Sequence, residues 1–549
     1  MIDNTILRRM LTYKITSFFY FFKCLGGIYL LLCLSISYAQ TIEATALQKR
    51  LTDPAAIALT GIEIPKLQRF YSARNFQPVW MTAETKRSQL ETALAFIASA
   101  DVEGLDSSDY QLQQLQQLQE TGNVAIELEL RTTQALLTLT HDLSRGRLIA
   151  SAADPDWYIP QQSFDAVAFL LDAVAGDNLT QSLNNLAPKK PSYQLLKKTL
   201  ARYREFASRQ ATWLHIPNTP LIRPGTAHGV IPLIRMRMTQ AYALDGVSEY
   251  NVSLNNSHYY DDELVAAIKA FQAQHGLNTD GIIGKNTLKA LNTTLEWKIR
   301  QLRINMERLR WLPRDLGERY LLVNLAGFWL AAAEQGEHVL NMRIIVGRDY
   351  RSTPSFSSHV SHMILNPYWN IPASIARKDL LPKQQKDPDF FASANIKVYS
   401  SYNYDVEALD PATIDWMEIK KGFSYILRQD PGENNALGTI KFMFPNDFNI
   451  YLHDTPSKAL FQKDIRAFSS GCIRLELPLK LAAFALNDPT VSTEFVDALA
   501  SGKTTTMNLS RRLPIYLVYM TTWVDDLNKV HFSPDTYGRD SRALRYAGW

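Results

Sequence analysis

The sequence predicts a multidomain α+β protein with a helical N-terminal scaffold, a small three-helix domain and a mixed β domain carrying an inserted cap. Three observations predict it. Apolar residues recur at helical intervals as far as Pro232, a compact helix-turn-helix pattern fills residues 258–292, and β-branched and aromatic runs bounded by Gly, Pro and Asn take over after Pro313.

Residues 1–39 combine Arg8, Arg9, Lys14 and Lys23 with an apolar run at 24–36 and then Ser37-Tyr38-Ala39. This reads as a secretory signal, or else as an uncleaved N-terminal anchor. Its removal leaves 54 basic against 53 acidic residues and a single cysteine, Cys472. That balance gives no reason to expect nucleic acid. An exported chain of this length without an internal disulfide must rest on its own cores, which implies two to four domains.

From residue 40 to about 232, Leu67, Phe70 and Tyr71, then Leu90, Ala93, Leu94 and Ile97, fall on helical faces, and Pro65 suits a helix start. Leu136, Leu139 and Leu143 mark a further amphipathic helix. No catalytic constellation occurs there, so a scaffold role is expected. In residues 261–273, Leu264, Ala267, Ile268 and Phe271 sit at i, i+3, i+4 and i+7, and His275-Gly276 supplies a stop. The turn Asp280-Gly281-Ile282-Ile283-Gly284 leads into a second short helix. A phosphate-binding loop fails here because Ile282 stands where lysine is required. Residues 295–311 form an amphipathic connector, with Arg300, Arg303, Arg308 and Arg310 expected on a solvated face.

Strands are expected at 320–325, 339–346, 360–366, 440–444, 449–453 and 515–521. The long insertion between Pro372 and Arg428 is expected to cap the active site, since loops of that length usually act as lids or binding loops. His359 and His362, three apart on a strand, are expected on opposite faces, so no metal is expected between them.

The chemistry is expected at Cys472, nineteen residues after His453. A thiol at its free pKa of about 8.5 is mostly protonated at neutral pH, so a nucleophilic cysteine needs a nearby base or cation. His453, at the end of an expected strand, and Arg474 are the candidates. Gly471 permits a tight turn, and the amides around Ser470 to Cys472 can face a developing oxyanion. An inert buried cysteine is the alternative, which the flanking glycine, serines and arginine disfavour.

Tyr-Leu-His-Asp-Thr-Pro at 451–456, with Ser-Ser-Gly-Cys-Ile-Arg at 469–474, resembles the catalytic signature of L,D-transpeptidases, which act on bacterial peptidoglycan. Asn366-Pro367-Tyr368-Trp369, Arg428-Gln429-Asp430-Pro431-Gly432 and the tail at 535–540 resemble the large multidomain members. Smaller relatives often carry His before the Gly-Cys pair, where this chain has Ser470, leaving His453 as the local base. Residues 258–292 resemble the three-helix peptidoglycan-binding domain, and Phe271, Asp280, Gly281 and Gly284 are its motif positions, expected to serve binding.

The resemblance implies a domain order of 1–39 signal or anchor, 40–232 helical scaffold, 233–294 peptidoglycan-binding-like domain and 295–318 connector. A YkuD-type mixed β-sandwich then covers 319–500, capped by 372–428, and a strand and tail at 501–549 follow. It further implies a periplasmic, cofactor-free enzyme whose Cys472 attacks the carbonyl between the third residue and D-Ala of a tetrapeptide stem. An amine of a neighbouring stem then resolves the thioester into a 3,3 cross-link. His453 would act as base, oriented by the Tyr451 carbonyl. Arg474 would favour the thiolate or bind a carboxylate, and Trp369, Asn366 and Tyr425 would bind substrate. The implied partners are stem peptides and glycan, with other wall synthases and inner-membrane association through the N-terminus left open. Water as acceptor would instead give an L,D-carboxypeptidase or a hydrolase. Loss of chemistry would leave a silent wall-binding scaffold.

Overall fold

Helical periodicity governs the first of two compact units, built from residues up to 100, 106–140 and 165–184. The computed structural model describes residues 42–52, 63–81, 87–121, 125–176, 178–209, 212–245, 252–254, 256–420, 422–488 and 491–549, and the expected export signal lies outside them. Leu67, Phe70, Tyr71, Leu90, Ala93, Ile97, Leu136 and Leu139 are buried, as their spacing predicts. One buried charge organises this unit. The Glu129 carboxylate accepts the backbone N–H groups of Val79 (2.6 Å), Trp80 (2.8 Å) and Met81 (3.0 Å) and the hydroxyl of Tyr71 (2.9 Å). Burial nevertheless raises its pKa above the ordinary carboxylate range.

The second unit holds residues 101–105, 141–164 and 185–549. In it the helix Pro191–Ser208 packs Tyr193, Leu196, Leu200 and Tyr203 against Leu295, Leu302 and Met306 of the connector helix Leu295–Trp311. The connector departs from its expected solvated face, because Arg308 and Arg310 are fully buried. Arg308 is paired with Asp540, and Arg310 with Glu307 at 2.7 Å. Part of the polar stripe is thus a buried seam, and the partner of Arg308 is one that periodicity cannot reveal. Helices Ile231–Asp245, Asp262–Gln274 and Lys285–Leu291 enclose a separate core around Ile234, Ile268, Phe271 and Leu291. Among the described residues no helix is long and apolar enough to cross a membrane.

Among the described residues the β region has fourteen strands: β1 Arg319–Asn324, β2 Trp329–Glu334, β3 Glu337–Gly347, β4 Ser357–Leu365, β5 Trp369–Ile371, β6 Ile396–Tyr399, β7 Ile426–Gln429, β8 Ile440–Met443, β9 Leu452–His453, β10 Ala467–Ser469, β11 Ile473–Leu475, β12 Thr505–Val518, β13 Thr522–Val524 and β14 Val530–Phe532. Nine of them form one mixed sheet, ordered β10-β3-β11-β9-β8-β4-β12-β1-β2, and a further pairing brings the terminal strand β2 back onto β3, next to the opposite end. The sheet therefore wraps a single core that includes Val323, Leu330, Ile344, Phe442, Leu452, Ile473 and Ile515.

Three details differ from the sequence reading. The strand expected at 449–453 is reduced to two residues, because Asn449 adopts φ 55° and the Asn446 side chain ties down a turn through the Ile450 carbonyl and amide. In β4 the pairing with β12 slips between Val360 and His362, so Val360 and Met363 both enter the core. His359 and His362 consequently both lie off the core face, not on opposite faces. The insertion is no bare loop: β5, β7 and β6 form their own sheet over a core of Ile371, Leu380, Phe391, Val398, Trp416 and Leu427.

Asp540 also accepts the Thr521 hydroxyl at 2.6 Å, so it links the C-terminal helix Arg539–Ala547 to Arg308 of the connector. Replacing Asp540 with Ala strands a buried guanidinium and should lower the stability of this unit by about 3–5 kcal/mol. Denaturant unfolding followed by tryptophan fluorescence checks this, and an unchanged midpoint refutes it.

Candidate active site

Strand register decides which side chains share a face. β11 pairs in parallel with β9, Ile473 opposite Leu452 and Arg474 opposite His453, while β8 pairs antiparallel with β9, Lys441 opposite His453 and Phe442 opposite Leu452. Phe442, Leu452 and Ile473 are fully buried in the core. By alternation, Lys441, His453 and Arg474 project from the outer face, with Tyr451 and Cys472 one step beyond each strand start. All five line one cavity of about 800 Å³ beneath the insertion.

The half-buried thiol has a defined environment. Its sulfur lies 3.7 Å from the Asn449 carbonyl and receives hydrogen bonds from the Tyr451 backbone and hydroxyl. Trp369 in turn hydrogen-bonds the Tyr451 hydroxyl, and the Lys441 ammonium sits 3.9 Å from the Tyr451 ring centroid. Burial pushes the thiol pKa up, while Tyr451, Lys441 and Arg474 pull it down. His453 is buried, and burial aided by the nearby Arg474 charge lowers its pKa to about 3. At neutral pH the pair is therefore a thiol and a neutral imidazole. An imidazole in that form can accept a proton.

The imidazole Nδ1 bonds the Asp454 carbonyl at 2.5 Å, which leaves Nε2 as the working nitrogen. This replaces the orienting role expected of the Tyr451 carbonyl, which instead accepts the Ile473 amide within the sheet. The Asp454 carboxylate is fixed by the Thr439 amide (3.0 Å) and by Lys458 (2.5 Å). Gly438 leaves room for it, since a Cβ there would come within 2.3 Å of Asp454 Oδ2.

Gly471 has φ +121°, a conformation that side chains rarely adopt, and Thr353 donates to its carbonyl at 2.7 Å. Its amide donates to Ser469 Oγ at 3.1 Å, so it is committed to the turn and does not serve as an oxyanion donor. The Ser469 hydroxyl donates to the Cys472 carbonyl at 2.5 Å. Ser470 accepts from Arg351 at 2.7 Å, and Arg351 also pairs with Asp379 of the insertion at 2.5 Å. The insertion is thereby tied to the nucleophile turn.

Of the residues expected to bind substrate, Trp369 lines the cavity and the other two do not. Asn366 instead caps a corner, donating to the Leu499 carbonyl at 3.0 Å while its own carbonyl accepts from Thr504. Tyr425 packs against Trp416 in the insertion's core, ring centroids 5.5 Å apart. Arg474 lines the cavity, has no ion pair among the described residues, and leaves its buried Nε without a partner. The structural salt bridge that was its alternative role is therefore not formed. Sequence reasoning missed Lys441, Arg348, Arg351 and Asp379. Lys441 was detectable only through its register opposite His453.

The four motif residues of the small helical module hold it together. Phe271 is fully buried, and the Gln272 side chain ties Asp280 (3.1 Å), the Ile282 carbonyl (3.0 Å) and the Gly281 amide (2.9 Å) into one turn. Gly281 takes φ +73°, and Gly284 caps the following helix. These positions serve the fold of the module, with Asp280 exposed at its surface.

Three stretches match known domain families: residues 65–200 a scaffold domain, 244–291 a "Putative peptidoglycan binding domain", and 318–496 the L,D-transpeptidase catalytic domain (YkuD). A Haemophilus influenzae protein described as a "Putative L,D-transpeptidase" is 39% identical over 250 residues, covering 45% of this chain and 50% of that protein. The chain thus spans about half the length of this relative. Among solved structures, an L,D-transpeptidase from Xylanimonas cellulosilytica (residues 123–326) is 14% identical, with a TM-score of 0.19 and coverage of 55% of this chain and 99% of that one. One from Stackebrandtia nassauensis is 12% identical, with a TM-score of 0.22 and coverage of 56% and 97%. At such scores the fold rests on the strands and register above. Residues 318–496 thus match the L,D-transpeptidase catalytic domain, in a chain that also carries matches to a scaffold domain and a peptidoglycan-binding domain.

Proposed function

We propose that the chain is a periplasmic cysteine L,D-transpeptidase that forms 3,3 cross-links between peptidoglycan stems. The observation that carries this is the register placing Cys472, His453, Lys441 and Arg474 on one face, open to one cavity. In the first step the Cys472 sulfur bonds to the carbonyl carbon between the third residue and D-Ala. His453 takes the thiol proton and delivers it to the departing D-Ala nitrogen as the C–N bond breaks. In the second step an amine of a neighbouring stem attacks the thioester, His453 takes its proton, and the thiol is restored as the C–S bond breaks. Lys441, Arg474 and the Tyr451 hydroxyl stabilise negative charge on sulfur, so ionisation accompanies attack instead of preceding it.

Incubation with tetrapeptide stems should yield an intact-mass adduct on Cys472 and cross-linked dimers. Carbapenems should acylate the same residue. Cys472→Ala should abolish both adducts, and His453→Ala should slow acylation by roughly 10²–10⁴-fold. No adduct on Cys472 would refute the reading, and tripeptide monomers without dimers would identify water as the acceptor.

Lys441→Met should raise the thiol pKa, slowing iodoacetamide alkylation of Cys472 at pH 7.5 by roughly 3- to 10-fold. The difference should vanish at high pH, where the thiol ionises without help. Since His453 titrates near 3, the alkylation profile should show no histidine inflection between pH 5 and 8. An inflection near 6.5, or equal rates in the Lys441 variant, would overturn this electrostatic account.

A further inference from the structure

A second cavity of about 440 Å³ opens in the same unit, away from Cys472. Trp329 of β2, Trp523 of β13 and His338 of β3 form one wall, and Ala273 and Gly276 of the peptidoglycan-binding module form another. The two indoles are half-buried, with ring centroids 6.1 Å apart. Each is packed against a neighbour. His531 stacks on Trp523 at 5.1 Å with 12° between the planes, and Trp329 lies against Gly327, where a Cβ would come within 2.5 Å of its Nε1.

The carboxylates of the rim are already paired. Asp526 accepts from His338 (2.6 Å) and Asn341 (3.0 Å), His531 bonds Asp525 at 2.7 Å, and the Arg343 Nε donates to Glu476 at 2.9 Å. Arg466, which also lines the cavity, spends its guanidinium on the backbone carbonyls of Ile344, Lys463 and Phe328. A cationic ligand therefore finds no unpaired carboxylate here. A neutral ligand rich in hydroxyl and amide groups finds carboxylate oxygens with spare lone pairs beside apolar ring surface. Such a combination of rigid aromatic platform and paired carboxylates suits a sugar ring, whose axial C–H face stacks while its hydroxyls donate.

We propose that this cavity is a glycan subsite that holds N-acetylated amino sugars of the wall polymer next to the peptidoglycan-binding module. The subsite rests on the wall-acting reading above but requires no chemistry at Cys472. It would give the chain a grip on the strand itself, independent of the stem peptide that enters the catalytic cavity. The turn residue Asp526 completes it by holding the β13–β14 hairpin to β3.

The test uses the full chain and tetra-N-acetylchitotetraose as the probe, with binding read from tryptophan fluorescence and saturation-transfer NMR. Trp523→Ala and, independently, the rim variant Asp526→Ala should each weaken binding about tenfold or more. Trp523→Phe should retain most of it, and the alkylation rate of Cys472 should be unchanged in all three. Equal affinity in the two alanine variants, or no binding by the unmodified chain, overturns the proposal. So does displacement of the sugar by a free tetrapeptide stem, which would make the cavity a peptide site. Failure of Cys472 to acylate would count against the proposed function and leave the sugar measurement standing.

Discussion

Two-residue alternation along three short strands is the constraint on which the site depends. Phe442, Leu452 and Ile473 must face the core, and their register then obliges Lys441, His453 and Arg474 to face outward together. A slip of one residue in β9 would send the imidazole into an apolar interior and a leucine toward Cys472. The apolar core therefore specifies the geometry of the candidate site, although none of its members touches the cavity.

Electrostatics in the cavity run against a simple ion-pair picture. Burial disfavours both thiolate and imidazolium; the nearby cations partly offset this for the thiolate and reinforce it for the imidazolium. Arg348, Arg351, Lys383, Lys441 and Arg474 line the space against the single carboxylate of Asp379. Such a surplus favours anionic groups in the cavity. The histidine's ring orientation comes from a backbone carbonyl, so it survives any change in the protonation of surrounding side chains.

Much of this organisation was legible in the sequence because it is local. The helical faces of the first unit, the three-helix module, the main strands and the Cys472 and His453 motif all follow from spacing within a few residues. What stayed hidden depends on distant partners. Arg308 and Arg310 read as a solvated stripe because Asp540, which neutralises Arg308, lies 232 positions away. Lys441 looked like an ordinary strand lysine until its cross-strand neighbour was known. Asn366 and Tyr425 show the converse error. A recurring motif residue can be required by a corner, a small core or a tight turn, and residue type alone does not separate that need from ligand contact.

The placement of β12 bears on how the molecule can be dissected. This strand, Thr505–Val518, begins after the matched catalytic stretch ends at 496, yet it lies between β4 and β1. Behind it, Arg539 donates to the Thr353 carbonyl at 2.7 Å, and Thr353 supports Gly471. A fragment cut at the family boundary would expose two raw strand edges, those of β4 and β1, inviting intermolecular pairing and insolubility. The smallest excisable fragment must run past residue 539, however compact its signature looks in one dimension.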